Sequence, residues 1–403
     1  GVGKGTLVQL ADIDATDNLI ENSDQAGTAT GLVIRDLSLD GNKAANTGAI
    51  TQNGIYFVGG VGGSGGSITD GATLQNLWIG NFETNGIEFH DSVSHSKVVG
   101  VVSSNNDGAG RTVNSYPDSV NSTITGSRFQ NNGSEGLRFT GWYNWTITGN
   151  VATGNTGNGF YVATSYTTVS GNTAKGNASN GFLISDTFSS TITGNTANGN
   201  SFAGIQLTNS NNNTVSGNTL TDNGSTVDNN GISVTTSDSN TITGNNITDV
   251  SHSGTNYAIT ITNAGSDTNY LSNNSLGGGT INDSGTGTIY AGQIDSSGYI
   301  QFKGMTGANI QGTTTINTTG TAATTIGNTT AALALQGGST VSLASSNGTN
   351  STALGFTGTQ TAGNITYNLN RAVTAGTYEI CTTAATAACV SAYNGLSPNL
   401  TDN

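Results

Sequence analysis

The chain has 403 residues, of which only 8% are charged, with 60 Gly, 2 Pro and a formal net charge of −14. This acidic balance argues against nucleic acids and anionic membranes as partners, and no apolar run is long enough to span a bilayer. The hydrophobic content of 33% is low for a single globular core.

Residues 1–52 form an entry segment. Residues 3–10 are predicted to form a turn and a strand, and we see no amphipathic helix before residues 33–42 that would cap a sheet. An uncapped sheet end exposes unpaired backbone groups. We therefore expect further sequence upstream of Gly1.

Earlier copies of a repeat begin at Gly54 and Gly86, and a degenerate copy begins at Gly110. The intervening stretches 59–71 and 107–118 are predicted to be loops that leave the repeating unit. Loops on a regular scaffold often carry function.

Residues 121–249 contain the regular part of the repeat, which consists of two short motifs. In the first motif a Gly precedes alternating apolar and polar residues, and these glycines are spaced by 23, 22, 23 and 27 residues: Gly136, Gly159, Gly181, Gly204 and Gly231. The second motif, Thr-x-Thr/Ser-Gly-Asn, ends at Asn150, Asn172, Asn195, Asn218 and Asn245, with Val or Ile in its second position. A fixed period of this length indicates a solenoid, and the alternation is the strand period.

The repeat predicts an all-β parallel β-helix with about 22–23 residues per coil and neighbouring coils about 4.8 Å apart. The residue after each first-motif Gly, such as Phe160, should point inward together with the residue two positions later. The recurring Asn side chains should form an inward hydrogen-bonded ladder, and the Gly before each Asn should have a positive φ.

These repeats resemble the right-handed parallel β-helix repeats of the pectin-lyase-like superfamily over roughly residues 1–290, and residues 33–42 resemble a segment common in its early coils. The superfamily includes polysaccharide lyases and epimerases, phage tailspikes, and periplasmic and surface β-helix proteins. The resemblance implies right-handed winding, which the general rule for parallel crossovers also favours. It implies no single activity, because one fold hosts many functions.

From about Tyr290 the pattern changes to short apolar pairs separated by Thr, Gly and Asn. We predict a parallel β-helix over residues 1–289 and a thinner β-rich segment over 290–403, which resembles the Thr/Gly-rich fibre segments of bacteria and phages. Because this segment would bury little surface alone, we expect a homo-oligomer, either a trimer or a fibre. Cys381 and Cys389 can form a disulfide or remain two free thiols.

Alignment of the coils places chemically varied side chains on one outward face. Two residues after the first-motif Gly lie Tyr56, Glu88, Arg138 and Tyr161, and His90 follows Glu88 by two. Further along the coil, a column of aromatic residues forms either a sugar-stacking wall or a purely structural ladder. The residues predicted to contact carbohydrate are Tyr56, Arg138, Trp142, Tyr143, Tyr161 and Tyr166.

Catalysis on this face would need particular groups. A glycosidase uses two carboxyls that flank the sugar, whereas a lyase needs a base and often Ca²⁺ to neutralise a uronate. The catalytic candidates are Glu88, His90, Asp91, Asp107, Glu135 and Arg138, with Arg111 a further possible base. Each can equally be a solvated surface charge.

The sequence favours an extracellular, cell-surface or virion protein of fibre or adhesin type that contacts polymeric carbohydrate or a cell-surface glycan. The alternative is a tailspike-like enzyme, a hydrolase or lyase that degrades polysaccharide. A third interpretation, an ice-binding β-solenoid, rests on the regular Thr-x-Thr/Ser array, although Thr also suits any exposed strand.

Overall fold

The computed structural model describes residues 6–10, 18–21, 30–46, 51–58, 69–90, 93–114, 121–224, 230–248, 257–262, 265–277, 279–294 and 300–303. The chain divides into two compact units, Gly1–Gly312 and Thr313–Asn403, and all described residues belong to the first. The predicted fibre segment beyond residue 303 and the cysteine pair lie outside the described residues.

The described part of the chain consists of short strands joined by turns, and it contains no helix. In chain order the strands are β1 (Thr6–Gln9), β2 (Ile20–Glu21), β3 (Val33–Arg35), β4 (Leu37–Asp40), β5 (Ile55–Val58), β6 (Thr69–Asp70), β7 (Thr73–Gln75), β8 (Trp78–Gly80), β9 (Ile87–His90), β10 (Val93–Ser94), β11 (Lys97–Val99), β12 (Val102–Ser104), β13 (Arg111–Asn114), β14 (Thr123–Thr125), β15 (Arg128–Gln130), β16 (Leu137–Tyr143), β17 (Thr146–Thr148), β18 (Val151–Thr153), β19 (Phe160–Ser165), β20 (Thr168–Ser170), β21 (Thr173–Lys175), β22 (Phe182–Ser185), β23 (Thr191–Thr193), β24 (Thr196–Asn198), β25 (Ile205–Thr208), β26 (Thr214–Ser216), β27 (Thr219–Thr221), β28 (Asn230–Thr235), β29 (Thr241–Thr243), β30 (Asn246–Thr248), β31 (Tyr257–Thr262), β32 (Tyr270–Ser272), β33 (Thr280–Asp283), β34 (Ile289–Ile294) and β35 (Ile300–Lys303).

Three long sheets run along the axis, and each coil contributes one strand to each of them from β2 to β30. Sheet I has the order β2-β5-β9-β13-β16-β19-β22-β25-β28-β31-β33 and carries the first motif. Sheet II has the order β3-β7-β11-β14-β17-β20-β23-β26-β29-β32-β34-β35 and carries the second motif, and sheet III has the order β1-β4-β8-β12-β15-β18-β21-β24-β27-β30. The strands pair in parallel throughout, except for the antiparallel pair β34–β35. The predicted all-β, right-handed parallel β-helix is confirmed.

The core is a column of apolar side chains enclosed by the three sheets. Leu137, Phe160 and Phe182, which follow first-motif glycines, are completely buried, and so are Phe139 and Ile184 two residues further on their own strands. The rings of Phe160 and Phe182 stack with centroids 4.8 Å apart. Burial of each such side chain stabilises the fold by about 1.5–3 kcal/mol. The predicted inward positions are therefore confirmed.

The predicted Asn ladder is also confirmed. Asn150, Asn172, Asn195, Asn218 and Asn245 are buried, and each donates its side-chain amide to the Oδ1 of the next over 2.9–3.0 Å. A second ladder on the next turn, between sheet III and sheet I, was not predicted: Asn132, Asn155, Asn177, Asn200 and Asn223. Both ladders give the turns polar partners inside the coil, which a buried turn requires.

The turn before each ladder Asn uses the conformational freedom of Gly. Gly171 has φ +61°, and a Cβ built there meets no atom within 4 Å, so the backbone angle and not crowding selects Gly. Gly181 is different, because a Cβ would lie 2.7 Å from the carbonyl oxygen of Gly204 on the next coil. The first-motif Gly is therefore required by the close approach of neighbouring coils.

One predicted loop differs from the structure. Residues 107–114 stay on the coil, since Gly110 donates its backbone N–H to Glu135 and Arg111–Asn114 pairs with β9 and β16. The loop predicted over 107–118 is thus wrong for this part, and its remainder lies outside the described residues. Sheet II continues past residue 289, because Ile289–Ile294 pairs with β32. The division of the chain at that residue stays a prediction.

Candidate functional site

The outward column of sheet I contains most of the predicted site residues. Tyr56 pairs in register with Glu88, Glu88 with Thr112, Thr112 with Arg138, and Arg138 with Tyr161. The register extends in the other direction to Glu21, which pairs with Tyr56. The predicted alignment is therefore confirmed, and it includes an acidic residue that the sequence did not single out.

Glu88 and Glu21 each accept a hydrogen bond from an Asn three residues earlier, but Glu88 is buried and Glu21 is exposed. The side-chain amide of Asn85 donates to Oε2 of Glu88 at 3.0 Å, and that of Asn18 donates to Oε2 of Glu21 at 2.9 Å. Glu88 is only 8% exposed. A spacing of three residues between Asn and Glu was the available sequence signal for Glu21, but the first-motif Gly is absent there.

The remaining acidic and imidazole candidates lie on different elements and have different partners. Glu135 precedes β16 and accepts a hydrogen bond from the Ser134 hydroxyl at 2.6 Å. Asp107 lies on the turn from sheet III to sheet I and pairs with Lys43 at 2.7 Å. The ring of His90 lies 6.1 Å from that of Tyr56, and Asp91 lies outside the described residues.

Arg138 and Tyr161 form one outward contact on adjacent strands. The guanidinium of Arg138 lies 5.5 Å from the centroid of the Tyr161 ring, and Arg138 is exposed. This is a cation–π arrangement, which at an exposed site contributes about 0.5–1 kcal/mol. It holds a cationic group and an aromatic face side by side on the surface of the sheet.

An exposed aromatic ladder lies at the corner between sheet I and sheet II. The ring centroids of Tyr143 and Tyr166 are 5.6 Å apart, and those of Tyr166 and Phe188 are 6.0 Å apart in an edge-to-face arrangement. Tyr166 is 51% exposed and Phe188 43%. Trp142 lies on β16 beside this corner.

Tyr166 occupies a backbone conformation that is unusual for an aromatic residue. Its φ is +53°, whereas the corresponding turn positions on other coils carry Asn144, Ser189 and Asn212, also with positive φ. The coil from Gly159 to Gly181 is one residue shorter than its neighbours, and the shortening falls in this turn. Positive φ at a bulky residue costs of order 1–3 kcal/mol, and such strain is concentrated at functional sites.

Arg111 cannot serve as a base, which corrects the sequence-based expectation. It takes the inward position after Gly110 and is 0% exposed, with its guanidinium 4.4 Å from the Phe89 ring and 4.9 Å from the Phe139 ring. Burial lowers the pKa of Arg111 well below its ordinary value. The residue belongs to the interior and does not face solvent.

Comparison with solved structures identifies the fold. The A-module of the Azotobacter vinelandii mannuronan C-5 epimerase AlgE6 is similar with a TM-score of 0.53 and 18% identity, over 72% of this chain and 79% of that chain. The chain has the pectin-lyase-like right-handed parallel β-helix fold. The A-module of AlgE4 from the same bacterium matches this β-helix with a TM-score of 0.43 and 19% identity, over 71% and 79% of the two chains.

Further matches to this pectin-lyase-like β-helix include the Dettilon tailspike protein gp208, with a TM-score of 0.40 and 16% identity over 70% of this chain and 62% of that chain. A family model described as periplasmic copper-binding protein (NosD) matches residues 46–245, just under half of the chain. No curated protein matches the chain.

A metal site and a membrane span each require a particular set of residues. Within the described ranges, no group of three or more His, Cys, Asp and Glu residues is placed to hold a metal ion. The same ranges contain no helix that is long and apolar enough to cross a membrane. The involvement of Ca²⁺ stays a prediction.

Proposed function

We propose that this protein acts outside the cytoplasm, at a cell or virion surface, and binds polymeric carbohydrate along sheet I and its corner with sheet II. The observation that carries the proposal is the exposed aromatic ladder of Tyr143, Tyr166 and Phe188. Sugar rings present apolar C–H faces that stack on exposed aromatic rings, and Tyr adds a hydroxyl that can hydrogen-bond. The strained backbone at Tyr166 supports a role beyond packing.

The Arg138–Tyr161 pair extends this surface along the strand direction, away from the corner. Tyr161 and Tyr166 lie five residues apart on one coil, a separation of about 16 Å along an extended strand. A chain of a few sugars laid across the coil would therefore contact both the ladder and the pair. The net charge of −14 disfavours anionic glycans unless divalent cations bridge the two, so neutral polymers fit best.

Glycan affinity of matched variants tests the proposal. Titration calorimetry against neutral polysaccharides that bind the wild type should show a loss of roughly 1–3 kcal/mol for Tyr166→Ala and for the double variant Arg138→Ala/Tyr161→Ala. The control is Gln206→Ala/Ser233→Ala, which changes the same outward column on distant coils. Equal losses in both double variants would refute the assignment of this face.

A polysaccharide-degrading enzyme is the second candidate, and the column Glu21–Tyr56–Glu88 favours it. Alternate coils separate the two carboxylate positions by about 9.6 Å, just above the range of roughly 6.5–9.5 Å for inverting glycosidases. The assay is release of reducing ends, or of unsaturated sugars that absorb ultraviolet light. Activity that survives in both Glu21→Gln and Glu88→Gln would exclude these carboxylates as the catalytic pair.

Copper binding, which the description of the matching family model suggests, does not fit the residues of this chain. Copper sites use His, Cys and Met ligands, and residues 46–245 contain only His90 and His95 of these types. His95 is engaged with Asp70 over 2.6 Å. We therefore assign no copper chemistry to the β-helix.

Assembly into a trimer or fibre is part of the proposal, with the contacts made by residues 290–403. Light scattering of the full chain should give three times the chain mass of 40.5 kDa for a trimer, or more for a fibre. A monomeric mass at micromolar concentration would count against assembly without affecting the glycan face.

Ice binding stays an alternative because sheet II carries two outward columns of Thr and Ser, as in Thr146 and Thr148 opposite Thr168 and Ser170. Thermal hysteresis that is lost in Thr193→Tyr would support it. Failure of the wild type to shape or inhibit ice would exclude it.

A further inference from the structure

Two buried residues on adjacent coils differ in chemical type from the residues at the same positions of other coils. Arg111 pairs with Ile87 and Leu137 on the flanking strands, so it occupies an inward column that is otherwise apolar. Trp145 precedes β17 at a turn position where following coils carry small polar residues, and its backbone N–H donates to the hydroxyl of Thr167, its counterpart on the next coil. In a regular solenoid, positions that depart from the local rule are where function or strain is expected.

These two exceptions lie against each other. The guanidinium of Arg111 is 5.2 Å from the centroid of the Trp145 ring, and the side chains are 0% and 1% exposed. Within the described residues, Nε and both terminal nitrogens of Arg111 and the Nε1 of Trp145 have no hydrogen-bond acceptor. A buried guanidinium without a counter-charge destabilises the fold, and each unpaired buried donor destabilises it further.

The chemistry of these groups selects the kind of ligand. Arg and Trp side chains supply only donors, so the ligand must accept hydrogen bonds and offer none. A water molecule would bring two protons of its own, for which these side chains provide no acceptor. A net positive charge on Arg111 calls for a negative ligand, and the closely packed rings of Phe89 and Phe139 favour a small one.

We propose that Arg111 and Trp145 bind a single small inorganic anion of the halide class inside the β-helix. The anion supplies the acceptor for both side chains and balances the buried charge. It binds the folded state alone, because the site needs strands β13, β16 and β17 in their native positions, and it therefore stabilises the fold by mass action.

Chloride is the probe in solution. At constant ionic strength, replacement of gluconate by chloride should raise the melting midpoint of the full chain until the site saturates. Arg111→Met should abolish this dependence, with a midpoint in gluconate no lower than that of the wild type, because Met fills a similar volume without charge. Arg128→Met, which removes an exposed Arg from sheet III, should keep the full chloride dependence.

Identical wild-type midpoints in the two salts would overturn the proposal, as would a chloride dependence that persists in Arg111→Met. If that variant does not fold, crystals of the wild type soaked in bromide decide the question. Anomalous scattering should show a peak within hydrogen-bond distance of Arg111 and of Nε1 of Trp145. Peaks confined to the surface would mean that the buried donors find their acceptor elsewhere, for example in a carboxylate of the chain itself.

Discussion

Replacement of Asn195 by Ala tests whether the Asn ladder holds the coils together. The Asn195 amide donates to Oδ1 of Asn218 at 3.0 Å and to the carbonyl of Val169 at 2.9 Å. Its Oδ1 accepts from the backbone N–H of Asn172 at 2.9 Å and from the side-chain amide of Asn172 at 3.0 Å. The substitution thus removes four hydrogen bonds on both sides of one coil.

The loss can be worked out from the groups that stay buried. The side-chain amide of Asn172 still donates to the carbonyl of Ile147, and Oδ1 of Asn218 still accepts from the backbone of residue 195. The backbone N–H of Asn172 and the carbonyl of Val169 lose the partner that Asn195 provided. At about 1–3 kcal/mol for each such group, the free energy of unfolding should fall by roughly 2–6 kcal/mol.

Urea unfolding followed by circular dichroism measures this loss, and Asn198→Ala is the control. Asn198 lies three residues away on β24 and is half-buried on the outward side, so its replacement should change stability by no more than about 0.5 kcal/mol. A loss for Asn195→Ala that equals the control would mean that the ladder adds nothing beyond sheet pairing and packing. The argument for the ladder would then be refuted.

Three further outcomes are expected. Asn195→Asp should be more destabilising at neutral than at acidic pH. Burial raises the pKa of the new carboxyl, so the folded state binds more protons than the unfolded state, and the free energy of unfolding falls as pH rises above the unfolded value of about 3.9. A pH-independent difference from the wild type would contradict this. Gly171→Ala should lower stability by about 1–2 kcal/mol because of its positive φ alone, and Gly171→Asn by less. Gly181→Ala should lower stability by roughly 3 kcal/mol because the new Cβ meets the backbone of the next coil. Melting midpoints rank the three variants, and a reversed order would be inconsistent with the turn geometry. Tyr166→Asn should change stability by no more than about 1 kcal/mol, since the loss of two ring contacts is offset by relief of the positive φ, while glycan affinity falls. If stability and glycan affinity fall by equal free energies, the aromatic ladder has a structural role only.

Periodic features of this protein could be predicted from the sequence because each coil needs the same residue types at the same turn, inward and outward positions. The Gly before each ladder Asn, the inward Phe160 and the outward register from Tyr56 to Tyr161 follow from a pattern that recurs along the chain. The departures could not be predicted in the same way. Arg111 was predicted to be a possible base because Arg is usually exposed. Only the confirmed inward register of its strand shows that this residue is buried.

Local changes of coil length limited the prediction of the site. The turn that contains Tyr166 is one residue short, so an alignment by counting from Gly159 places this Tyr beside Tyr143 and Phe188, whereas the backbone places it in the positive-φ position of Asn144. The second Asn ladder carries the same Gly-Asn signal at Asn155, Asn177 and Asn200, so this part of it could have been predicted from the sequence, whereas Asn132 and Asn223 follow other residues. Glu21 escaped because its coil lacks the first-motif Gly.

The matching positions of the coils that begin at Gly181 and Gly204 have a consequence for how this chain can change over generations. Removal of residues 181–203 would join Asn180 directly to Gly204, and Ile205, Leu207 and Asn218 would meet the positions that Phe182, Ile184 and Asn195 now fill. Duplication of the same stretch would add one coil with every ladder continued. Recombination within the gene can therefore lengthen or shorten the β-helix by whole coils. Such a change moves the aromatic ladder relative to either end of the β-helix and leaves the ladder itself unchanged.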